Sequence, residues 1–201
     1  MIEASIVLLR FDAMGAPSPR SLELYRRVQA MAEPGADAQT NPMLKTLAAL
    51  CAAEYQLRRG ETAAATARID AILRSLEARP ATPALKVLLA VGKTLKGIAV
   101  LKAGGPTAAL PWLAQGRDEM ADLNGPQHPL TMMYAANRAL ALAALGRYKE
   151  AVAVLDEVEP ALRQAMGPSA PNYRRIAQWR ERIQQAARGG EPFAINDDFL
   201  T

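Results

Sequence analysis

Cys51 and His128 are the only cysteine and the only histidine of the chain, so neither an internal disulfide nor a Cys/His zinc site can form. Cys51 lies in the small apolar run LAALCAAEY, where a thiol packs as a small hydrophobe. No serine stands in a G-x-S-x-G elbow, and no glycine-rich loop leads into Lys-Ser or Lys-Thr. His128, in the turn GPQHP, reads as a structural turn residue, and Asp156, Glu157 and Glu159 read as the solvated outer part of a helix. No catalytic residue, metal site or cofactor is therefore expected. The chemistry left to the chain is recognition. Lys96, Arg138 and Arg180 recur at intervals of 42, a stack of cations suited to an acidic ligand. Asn137, beside Arg138, carries an amide that satisfies peptide N–H and C=O groups together. The ordinary alternative is that Asn137 makes an internal contact and the three cations are surface charges.

The elements that position these residues follow from composition and punctuation. Half of the 201 residues are apolar, mostly Ala, Leu and Val, and only 5% are aromatic. Long stretches of Ala, Leu, Arg and Glu without Gly or Pro favour helices, because these side chains lose little rotamer freedom there. The expectation is an all-α chain. GPQHPLT at 125–131 recurs as GPSAPNY at 167–173, and Gly15, Gly60, Gly104 and Gly146 are 42 to 45 apart. Pro42, Pro83, Pro129 and Pro171 keep the same beat. Pro suits the first turn of a helix and Gly the left-handed residue that ends one. Each unit is then a helical hairpin that must stack on its neighbours to bury its apolar face. The pattern predicts helix pairs at about 2–14 and 19–32, 43–59 and 62–78, 84–103 and 106–121, and 130–145 and 148–165. A closing helix at about 172–188 makes nine, stacked as a right-handed array.

Charge and hydropathy bound the setting. The net charge of +4 is mostly local: no acid falls between Glu77 and Asp118, while Arg79, Lys86, Lys93, Lys96, Lys102 and Arg117 do. Arg174, Arg175, Arg180, Arg182 and Arg188 form a second basic block relieved by Glu181. Such blocks favour anionic partners, or else are solvated helix faces. The opening MIEASIVLLRFDAMGA is a poor secretion signal, since Glu3 spoils a basic start and Arg10 interrupts a short apolar run. The alanine-rich segment after Pro129 carries Asn137 and Arg138 at its middle, which argues against a membrane span. A soluble, cytoplasmic protein is expected.

With its small residues Ala139 and Ala151 on either side of the turn, GRYKEAVAVL resembles the tetratricopeptide repeat. Gly97 and Ala109, and Ala53 and Ala65, hold the same places one and two units earlier, and Ser21 fits after a one-residue shift. The 42-residue period and the GPQHPLT turn are similar to the kinesin-light-chain variety of that family. The likeness runs to about residue 188, most marked over 104–173 and least over 1–60. It implies an α-solenoid of about four hairpins plus a C-terminal capping helix over 1–188, followed by a flexible acidic and apolar tail at 189–201.

In that family the first helices line a concave groove that holds peptides. The inward positions map to Met133, Ala136, Leu140 and Ala144, then to Val91, Thr94, Ile98 and Lys102, then to Leu47, Leu50, Glu54 and Arg58. Family members that clamp a terminal carboxylate carry a pair similar to Asn137-Arg138, although Leu95 and Trp179 stand at the matching positions 42 residues away. The resemblance implies a scaffold that binds an acidic, amphipathic peptide or partner domain through Lys96, Ile98, Lys102, Met133, Asn137, Arg138 and Leu140. It also suggests a piece of a larger bacterial signalling or regulatory protein. Phe193, Ile195, Phe199 and Leu200, set among acids, could fill the groove of the same chain or of a second copy. The competing readings are a nucleic-acid-binding solenoid, disfavoured by the lack of aromatics among the basic residues, and a structural homo-oligomer.

Overall fold

The structure, a computed structural model, describes residues 19–32, 41–80 and 82–195. Eight α-helices and no strand occur among them: α1 (Pro19–Ala32), α2 (Pro42–Arg58), α3 (Thr62–Glu77), α4 (Pro83–Lys102), α5 (Pro106–Asn124), α6 (Pro129–Ala144), α7 (Tyr148–Met166) and α8 (Pro171–Ala187). The chain is all-α there. Seven of these helices begin and end within one residue of the sequence expectation, and α5 runs three residues further. The helix expected at 2–14 lies outside the described residues.

The punctuation works as its chemistry requires. Pro42, Pro83, Pro129 and Pro171 sit at the first positions of their helices, where a missing N–H leaves nothing unsatisfied. Asn41 Oδ1 caps α2 by accepting from the Met43 amide at 2.9 Å, and Thr82 Oγ1 accepts from Leu85 at 3.2 Å. His128 caps α6 in the same manner, its Nδ1 accepting from the Leu130 amide at 3.2 Å. At the other ends, Gly60, Gly104, Gly146 and Gly189 have φ between 72° and 86°. The residue after each glycine returns its amide to a carbonyl five residues back, as in Arg147 to Leu142 at 2.9 Å. This is the double-capped helix end that only a left-handed residue allows.

Each helix packs on the next in sequence, and α2 with α4, α4 with α6, and α6 with α8 also touch. Small residues permit this closeness. Ala53, Ala65, Ala109, Ala139 and Ala151 are all 0% exposed. A Cβ added to Gly97 would meet the Leu113 side chain at 2.6 Å, and one added to Gly92 would meet Leu73 at 2.8 Å. One large cluster of buried residues spans α4 to α8, a second spans α2 to α4, and a third joins Leu24 and Val28 of α1 to Ala48, Cys51 and Tyr55. Cys51 is thus a buried thiol, 4% exposed. The first residues of the expected tail join the large cluster. Phe193 is 9% exposed, its amide donates to Tyr148 Oη at 3.4 Å, and Ile195 packs beside it. Phe199 and Leu200 lie outside the described residues.

Gly97→Ala and Ala151→Leu should each lower stability by about 1–3 kcal/mol through overpacking where helices meet. Urea unfolding curves read this directly, and unchanged midpoints for both would refute the close packing described.

Candidate functional site

Three first helices and the closing helix enclose a cavity of about 120 Å³. Glu54 and Arg58 of α2 line it, with Val91, Thr94, Leu95 and Ile98 of α4, Met133, Tyr134 and Asn137 of α6, and Arg175, Ile176 and Trp179 of α8. Its walls are apolar or aromatic, and one end is ionic. Arg58 Nη2 donates to Glu54 Oε1 at 2.8 Å, an i,i+4 pair whose side chains are 8% and 21% exposed. Arg175 lies over the Trp179 ring, 5.6 Å from its centroid, and donates to Asn172 Oδ1 at 3.0 Å. Burial pushes the Arg175 guanidinium down to about 10, helped by the like charge of Arg58 and opposed by Glu54. Arg175 therefore stays charged at neutral pH.

The sequence expectation divides here. Ile98, Met133 and Asn137 line the cavity, half-buried, and Asn137 Nδ2 makes only a long 3.4 Å contact to the Met133 carbonyl of its own helix. Leu140 is 0% exposed. Residues 139–143 are buried without interruption, so that part of α6 is covered all round and presents nothing to a ligand. Lys102 is not a groove cation either: its Nζ donates to the Leu57 carbonyl at 2.6 Å, capping the end of α2.

The ladder of cations faces a different way from the one expected. Lys96 Nζ meets Asp70 of α3 at 2.7 Å, and Arg180 meets Asp156 of α7 at 2.6 Å and Glu159 at 3.4 Å. Each reaches back about two dozen residues, to an acid on the preceding second helix. The corresponding stretch before Arg138 reads Trp112 to Ala114 and offers no acid, so Arg138 is exposed. It borders a separate cavity of about 510 Å³ between α5, α6 and α7, walled by Leu110, Pro111, Leu113 and Val158, with Arg117 and Glu157 at the edge. Much of the first basic block is similarly balanced by acids of the same or flanking helices. Lys93 pairs with Glu119 at 2.9 Å, Lys86 with Asp122 at 3.6 Å, and Arg117 with Asp118 at 2.9 Å.

Sequence reasoning placed Glu54 and Arg58 on the inward face but did not count them as binding residues; it named Arg175 only within a basic block and Trp179 only as a mismatch to Asn137, and it passed over Tyr134 and Ile176. The signal was present for α8: Arg175, Ile176 and Trp179 each stand 42 residues after Met133, Tyr134 and Asn137. Among the described residues no three His, Cys, Asp or Glu side chains gather as a metal site, and no helix is long and apolar enough to cross a membrane. No protein-family model, curated protein or solved structure matches this chain.

The difference between the two apolar positions is measurable. Leu140→Ala should cost about 2–5 kcal/mol as a core truncation, whereas half-buried Met133→Ala should cost distinctly less. Thermal unfolding of the two variants compares them, and equal losses would contradict the burial described.

Proposed function

We propose that this chain is a helical-repeat interaction module of the tetratricopeptide kind, an α-solenoid whose first helices grip an acidic segment of a partner polypeptide. The carrying observation is the cavity between α2, α4, α6 and α8, where apolar walls meet two guanidinium groups and one carboxylate. Supporting it are the repeated glycine-terminated hairpins and the fully buried small residues at the places the repeat requires. A partner side chain entering there replaces water on an apolar surface and meets net positive charge, which favours acids among hydrophobic residues. The role is binding, not catalysis. The pairing of Lys86, Lys93, Lys96 and Arg117 with internal carboxylates leaves little of the first basic block for phosphates, which weighs against a nucleic-acid ligand.

Selection from a random peptide library tests the reading. The expected winners carry Asp or Glu among apolar residues, and Met133→Glu or Ile98→Glu should weaken them about tenfold or more, while Arg138→Glu changes little beyond its salt-dependent part. Winners without acids, or winners indifferent to Met133→Glu and Ile98→Glu, would overturn it.

A further inference from the structure

Several hydrogen-bond donors that line the cavity have no acceptor. Arg58 has its side chain 8% exposed, and its Nη2 is engaged by Glu54, yet its Nε and Nη1 have no hydrogen-bond partner. Trp179 is 4% exposed, and its indole Nε1–H also lacks an acceptor. Both side chains line the same small cavity. A buried donor without an acceptor keeps the full cost of leaving water, and that cost is larger for a charged group. Several such donors lining one small cavity point to an acceptor brought from outside the chain.

The acceptor's chemistry follows from the lining. Two guanidinium groups face one carboxylate, which leaves a net single positive charge and matches a monoanion better than a dianion. At about 120 Å³ the space suits one short side chain and falls far below the ~300–1,000 Å³ typical of sites for drug-sized molecules. The aromatic and aliphatic walls accept the methylenes that carry an acidic group. Arg58 belongs to α2 and Arg175 to α8, so an anion between them also offsets the repulsion of two like charges across the cavity.

We propose that this cavity is a receptor for a single side-chain carboxylate, an Asp or Glu of the partner polypeptide, with Arg58 and Trp179 donating to its oxygens and Arg175 adding the second positive charge. The proposal rests on the groove reading above and names what the groove recognises. Occupancy ties α2 to α8, so binding should slow hydrogen exchange in both helices.

The test uses the full chain labelled with nitrogen-15, following the indole N–H resonance of Trp179 with Trp112 as the internal reference. The probes are propionate, inorganic phosphate, and a blocked heptapeptide with one central Glu flanked by leucines, alongside its Gln counterpart. Chloride at matched ionic strength is the control. Expected are a saturable shift of the Trp179 signal with propionate, at least tenfold tighter binding of the Glu peptide than of propionate, and at least a tenfold loss for the Gln peptide. Arg58→Met should lose the Glu peptide at least tenfold without lowering the melting temperature of the free protein, because Glu54 keeps Arg175 beside it. A Trp179 signal that propionate moves no more than chloride does would overturn the receptor. So would an Arg58→Met variant that melts well below the parent, since the arginine would then be serving the fold. Phosphate binding more tightly than the Glu peptide would replace carboxylate by phosphate, and propionate as tight as the peptide would defeat the polypeptide source. The groove reading fails separately, when selected peptides ignore Met133→Glu while the Glu heptapeptide still shifts Trp179.

Discussion

At the places where neighbouring helices come closest, the side chains are alanine or glycine. Ala53, Ala65, Ala109, Ala139 and Ala151 are fully buried, and even a Cβ on Gly97 would collide with Leu113. This close approach lets Leu113, Leu155 and Leu162 reach full burial with few aromatic residues available to fill a wider gap. It also decides which side chains are left over for binding. A helix such as α6 packs mainly on α5 and α7, with small contacts to α4 and α8, and Met133, Tyr134 and Asn137 are its residues that line the cavity.

Local chemistry is what made the architecture readable. Proline at helix starts and glycine at helix ends each act on one or two backbone groups, so their positions carry over to structure almost without tertiary help. Position on a face is different. The 3.6-residue period fixes the direction in which Leu140 points but not how deeply a neighbour covers it, and α6 is covered there on every side. The interval of 42 misled for a related reason. Two of the three cations that recur at that interval do so together with an acid on the preceding helix, and Arg138 does not. Asp70 behind Lys96 and Asp156 behind Arg180 were visible in the sequence as partners, and they explain those two cations without a ligand.

The basic residues thus divide into three physical classes. Lys86, Arg117 and Arg180 form pairs that are substantially exposed, worth about 0–1 kcal/mol each, so they keep the surface neutral more than they hold it together. Lys93 and Lys96 sit more deeply and link α4 to α5 and to α3. Arg58 and Arg175 belong elsewhere: two cations brought near one another with a single carboxylate between the pair, an arrangement that costs stability when nothing else enters. Stability alone would have placed apolar side chains at those positions.

Part of that cost falls on α8, which the sequence suggested would cap the array and lend Arg180 to a ladder of cations. Its solvent side is polar, as a cap requires, but Ile176 and Trp179 on the other side are 3% and 4% exposed and complete the cavity wall. The helix therefore has two tasks. It seals the apolar face of α6 and α7, and it carries a cation back towards α2. A cap that did the first task alone would need Tyr173, Ile176, Trp179 and Ile183 but neither a guanidinium above the Trp179 ring nor an indole N–H without an acceptor. The two features coincide on consecutive turns of one helix, opposite an arginine of α2 that also lacks acceptors for its Nε and Nη1. Packing accounts for the first task, and the proposed carboxylate would account for the second.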